Sequence, residues 1–98
     1  MTCSTCEDFS QPRPIRLPAD LTSAILLLQA AVAQGRLTVL PAYSATYTLP
    51  AFSTLDAEGP WHEIVENRFA CTACGQKYLL SAETYHGHGG SLEVMTAP

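Results

Sequence analysis

Charge is what this chain has least of. Asp, Glu, Lys and Arg make up 14% of its 98 residues, against roughly 25% in an average soluble domain. The five basic residues, Arg13, Arg16, Arg36, Arg68 and Lys77, are scattered along the chain, so there is no basic stripe of the kind that tracks a phosphate backbone. Nine acids against five bases leave a net charge of −4. That field suits a basic protein partner and opposes direct nucleic-acid binding. Long apolar runs are missing too: the longest, Ala24 to Leu28, is far too short to cross a bilayer, and no membrane association is expected. The first residues, Met1 to Asp8, carry neither a basic start nor an apolar core, so a secretory signal is not expected and a cytoplasmic location is.

The signatures of familiar catalysts are absent as well. There is no Walker lysine motif, no Gly-x-Gly-x-x-Gly between a strand and a helix, and no Gly-x-Ser-x-Gly elbow. No enzymatic activity is expected. Disorder is excluded in turn by an apolar fraction of 47%, ordinary for a globular protein. The length fits a single domain, residues 1–98, near the small end of the range where a core benefits from a metal staple.

What the chain does have is two Cys-x-x-Cys pairs, Cys3/Cys6 and Cys71/Cys74, which use every cysteine and leave none as a nucleophile. A pair two residues apart lets one tight turn aim two thiolates at the same ion, and tetrahedral Zn2+ wants four soft ligands. In a reducing compartment such pairs read as metal ligands rather than disulfides. The reading is one zinc ion held by Cys3, Cys6, Cys71 and Cys74. The alternatives are a mixed cysteine–histidine site or a redox role for one pair. Four thiolates close the shell and leave no position for water, so the ion is read as structural. Four thiolates on one Zn2+ would also add about two negative charges to the field.

Between the pairs the pattern is mixed. Residues 7–18 contain three prolines, Pro12, Pro14 and Pro18, and read as an extended connector. Asp20 is a good N-cap and Gly35 a natural C′ residue, which predicts a helix over about 21–34. Leu21, Ala24, Ile25, Leu28, Ala31 and Val32 form its core-facing stripe. The opposite side is unusual: Leu26, Ala30 and Ala33 occupy it, and no charged residue lies anywhere from Leu21 through Gln34. Solvated faces normally carry Lys and Glu, so this one calls for cover, from residues 41–60 or from a partner. Leu37 to Leu40 is a short β-type run, and Ala45 to Leu49 is a further candidate strand within an aromatic and proline-rich segment.

From residue 64 the sequence reads strand, metal turn, strand, with residues 64–70 leading into the second cysteine pair and 76–81 leading out, and Ser91 to Met95 alternating as a final edge strand. The segment Phe69-Ala-Cys71-Thr-Ala-Cys74-Gly75-Gln-Lys-Tyr78 resembles the knuckle of a zinc ribbon, whose β-hairpin turns through Cys-x-x-Cys-Gly. The resemblance covers about residues 64–95 plus Cys3 and Cys6. It departs from the compact pattern in the 64 residues between the pairs and in the missing glycine after Cys6. It implies amide groups pointing at the thiolates and a second knuckle brought in from the N-terminus.

Tyr85, His86 and His88 sit in a glycine-rich turn. On a continuing strand His86 and His88 share one face, while Glu83 and Tyr85 share the other, so no acid/base pair is assembled automatically. The plain reading is a turn fixed by hydrogen bonds; His-x-His as a substitute metal ligand is the other. His62 reads as a surface residue.

These readings combine into an α+β fold: one helix packed on a small antiparallel sheet, with a C-terminal zinc-ribbon-like hairpin closed by the N-terminal cysteine pair. The expected function is protein binding, with Leu26, Ala30, Ala33, Tyr85, His86 and His88 as the candidate surface. Its sharpest form is inhibition of the immunity or antitoxin type, by analogy of size and charge alone. The rivals are a nucleic-acid-binding zinc ribbon, relying on Arg68, Lys77, Tyr78 and Tyr85, and a small metallo-enzyme.

Overall fold

The computed structural model describes residues 3–9, 11–40, 52–61, 64–84 and 89–95. The candidate strand at Ala45 to Leu49, His62, and the Tyr85, His86 and His88 turn lie outside the described residues. Among the described residues the fold is one α-helix on a five-stranded antiparallel sheet. The strands are β1 (Arg13–Ile15), β2 (Leu37–Leu40), β3 (Ile64–Cys71), β4 (Lys77–Glu83) and β5 (Gly89–Val94), in the order β1-β5-β4-β3-β2.

The helix, α1 (Pro18–Ala33), joins the strands at opposite ends of that order. Its 16 residues span roughly 24 Å at 1.5 Å per residue, and four inter-strand spacings come to about 19 Å. One helix is therefore long enough to carry the chain across the sheet face. Leu21, Ala24, Ile25, Leu28 and Ala31 are buried beneath it, and Val32 packs half-buried against the same core. This is the stripe that the 3.6-residue period predicts. Burying each Leu or Ile contributes about 1.5–3 kcal/mol.

The helix begins earlier than expected, and Asp20 is not its N-cap. Pro18 takes the first helical position, where a missing N–H costs nothing and φ is already helical. Asp20 sits two residues further in, and its Oδ2 accepts N–H groups from Arg16 at 3.0 Å and Leu17 at 2.9 Å. The C-terminus closes as a Schellman motif: the Gly35 N–H donates to the Val32 carbonyl at 3.0 Å and the Arg36 N–H to Ala31 at 2.9 Å.

Alternation along β3 and β4 sorts the sheet into two faces. Val65, Phe69, Tyr78, Leu80 and Ala82 are buried towards the helix, together with the polar Asn67. Phe52, from the segment before β3, packs edge-on against Phe69 with ring centroids 4.9 Å apart. Two expectations change at the other end of the sheet. The segment read as a plain connector contributes β1, and β5 is consequently an inner strand rather than an edge, paired with both β1 and β4. Pro14 is tolerated because β1 is an outermost strand among those described, where a missing donor disturbs no second neighbour. Among the described residues no helix is long and apolar enough to cross a membrane.

Candidate metal centre

Strand β3 ends at Cys71, and the chain turns through Thr72, Ala73, Cys74 and Gly75 before β4 begins at Lys77. The turn is closed by the Gly75 N–H donating to the Cys71 carbonyl and the Cys71 N–H donating to Gln76, both at 2.9 Å. Gly75 has φ +79°, a left-handed conformation that any residue with a Cβ adopts only at a cost. The knuckle is also bolted to the end of the helix. Thr72 donates its N–H to the Arg36 carbonyl at 3.0 Å and its hydroxyl to the Gly35 carbonyl at 2.7 Å.

The N-terminal pair arrives on a turn of its own, with the Cys6 N–H donating to Cys3 at 3.3 Å and the Phe9 N–H to Cys6 at 3.0 Å. Phe9, only 1% exposed, is driven into the core beside Tyr78, ring centroids 5.7 Å apart. The Arg36 guanidinium lies 5.8 Å from the Phe9 ring centroid and donates to the Thr5 carbonyl at 3.5 Å. An aromatic anchor and one cation thus hold the arm where its sulfurs meet the knuckle.

The four sulfurs lie within 4.8 Å of one another. Cys3 Sγ is 3.9 Å from Cys71 Sγ, and Cys6 Sγ is 3.6 Å from Cys74 Sγ. Ligands about 2.3 Å from a tetrahedral centre stand roughly 3.8 Å apart, so these spacings match a tetrahedral thiolate shell. They are far from the roughly 2.05 Å of a disulfide. Burial is graded across the set: Cys6 and Cys71 are buried, Cys3 is intermediate and Cys74 is exposed.

The backbone prepares one ligand in particular. Burial raises the Cys71 thiol, but N–H groups of Cys74 and Ala73, with the Cys6 and Cys74 thiols, outweigh it and bring its pKa down to about 7. The Ala73 N–H stands 3.4 Å from that sulfur. Cys6 goes the other way: burial pushes its thiol up to about 12, the Tyr78 hydroxyl opposes this, and the sulfurs of Cys71, Cys74 and Cys3 add to it. Tyr78 is itself held well above its ordinary value by burial and then by Cys6. A cation entering the cluster would therefore find Cys71 ready to ionise and would displace a proton from Cys6.

The other candidates separate. Leu26 is 53% exposed, and Ala30 and Ala33 are exposed beside it. Part of the cover expected from the central segment is present, but on the neighbouring flank, where the Gln29 side-chain amide donates to the Leu55 carbonyl at 3.2 Å and Leu27 and Leu55 pack on the core. Arg68 and Lys77 lie on the sheet face away from the helix, whereas Tyr78 is 2% exposed and has no face free for a base to stack on. Sequence reasoning missed Phe9, Arg36 and Thr72 as supports of the centre. An isolated Phe in a proline-rich arm and a cation just past a helix end were the only signals. No protein-family model matches the chain, and no curated protein or solved structure matches it.

Proposed function

We propose that Cys3, Cys6, Cys71 and Cys74 hold one structural Zn2+ that clasps the N-terminal arm to the β3–β4 knuckle, and that the clasped chain is a protein-binding module rather than an enzyme. The carrying observation is the cluster of four sulfurs at tetrahedral spacing. An all-sulfur set favours zinc among divalent ions, and a complete set of four leaves no coordination position for water or substrate. Metal binding then serves folding, because the ligands come from segments 64 residues apart in sequence.

Support for the binding role comes from the uncharged outer side of α1, with Leu26 standing 53% exposed at its middle, and from the net acidic field, which favours a basic partner. An inhibitor of the immunity or antitoxin type is the sharpest version of this reading. The experiment is affinity purification of the tagged chain from its own cells at low and moderate salt, in parallel with Leu26→Asp. The expected partner carries a basic surface, weakens with salt, and is lost from Leu26→Asp while that variant keeps the parent thermal transition. A Leu26→Asp protein that folds normally and retains every partner removes the helix face from the proposal.

A further inference from the structure

The clasp is unevenly protected. Cys74 is exposed at the tip of the knuckle, while Cys6, 3.6 Å from it, is buried. The susceptibility of a thiolate to oxidation follows its exposure and the presence of a second thiol within reach. Cys71 is differently placed: buried, with its sulfur accepting the Ala73 N–H, it stands 3.9 Å from Cys3. Both of these contacts, Cys6 to Cys74 and Cys3 to Cys71, run from arm to knuckle, and the Cys6–Cys74 contact is the shorter.

We infer that Cys74 is a site of oxidation by peroxides and that Cys6 resolves it, so that oxidation replaces the metal clasp with a Cys6–Cys74 disulfide that keeps the arm closed. The Cys74 thiolate attacks one oxygen of hydrogen peroxide; the O–O bond breaks, a sulfenic acid forms on Cys74 and hydroxide leaves. Cys6 then attacks the Cys74 sulfur, forming the S–S bond, and its thiol proton leaves with the displaced hydroxide as water. The two sulfurs together lose two electrons, and one peroxide is reduced to one hydroxide and one water. Cys3 and Cys71 alone would then be left to hold the ion, which would be open to competing chelators. The two sulfurs need to approach by about 1.5 Å to reach disulfide length. The cross-link ties residues 6 and 74, whose loop spans most of the chain, so it constrains the unfolded chain strongly.

The release of zinc rests on the structural-metal reading, whereas the identity of the cross-link does not. Trypsin makes the two separable, since Cys3 and Cys6 fall in a fragment of residues 1–16, and Cys71 and Cys74 in one of residues 69–77. The metal-loaded protein is treated with hydrogen peroxide, free thiols are alkylated, and the unreduced digest is read by mass spectrometry while a chromogenic chelator counts the zinc. The expected product joins the two fragments through Cys6 and Cys74, with one zinc released per chain. Its thermal transition stays above that of reduced, chelated protein. A sulfenic-acid trap at early times marks Cys74 first, and Cys3→Ser, which keeps both partners, still forms the same link. A Cys71–Cys74 bridge, or early trapping at another cysteine, overturns the inference. Starting protein that binds no zinc but forms the Cys6–Cys74 link overturns the metal reading and leaves the cross-link standing.

Discussion

Asp20 and Gly75 each hold a chain reversal in place, one by charge and one by having no side chain. The Asp20 carboxyl is held below the usual carboxylate range, first by the Arg16 N–H, then by the Leu17 N–H, with the Arg16 charge adding. A carboxyl whose folded pKa is depressed stabilises the fold above its unfolded value of about 3.9, and that stabilisation is lost as pH falls through the folded value. Asp20→Ala should therefore melt below the parent at pH 7, with the gap closing in thermal scans by circular dichroism as the pH falls through that lowered folded value. At Gly75 an added Cβ would meet nothing within 4 Å, so only the positive φ resists substitution. Gly75→Ala should cost about 1–2 kcal/mol, seen as a melting point lowered by several degrees, and Gly75→Asn less.

Among the elements, β5 is held closely between two neighbours. Gly90 pairs with Ile15 of β1 and Ala82 of β4. A Cβ on it would collide with the Ser81 carbonyl and approach Ala82 Cα to 2.8 Å. Gly90→Ala should destabilise by about 1–3 kcal/mol, as overpacking does, whereas Ser91→Ala, on the opposite face, should leave a denaturant midpoint nearly unchanged. The elements also show where sequence reading succeeds and stops. The body of α1 and the strands flanking the knuckle were legible because apolar periodicity and burial agree there. Asp20 misled because a carboxylate accepting backbone N–H groups serves equally at the cap or inside the first turn; Pro18 was the discriminating residue. Strand β1 was illegible because three prolines argue against a strand, and only an outermost position makes one of them acceptable.

At the scale of the whole molecule, the four cysteines dictate topology. Their spacing in sequence was enough to predict that the N-terminus returns to the β3–β4 turn. It was not enough to show how, because Phe9, Arg36 and Thr72 act through contacts distant in sequence. The arm carrying Cys6 and Phe9 closes one end of the core over Tyr78. Metal that binds only the folded chain stabilises it by mass action, so chelation of reduced protein should lower the melting point and loosen this end first. The faster amide exchange expected at residues 3–9 and 71–77, with α1 protected longer, is measurable by mass spectrometry.

X-ray absorption at the zinc edge of the reduced, purified protein reports the ligands of the clasp themselves. One zinc per chain with four sulfur neighbours at about 2.3 Å is the expected result. A first shell containing nitrogen or oxygen, or a fully folded protein that takes up no zinc at all, would contradict it.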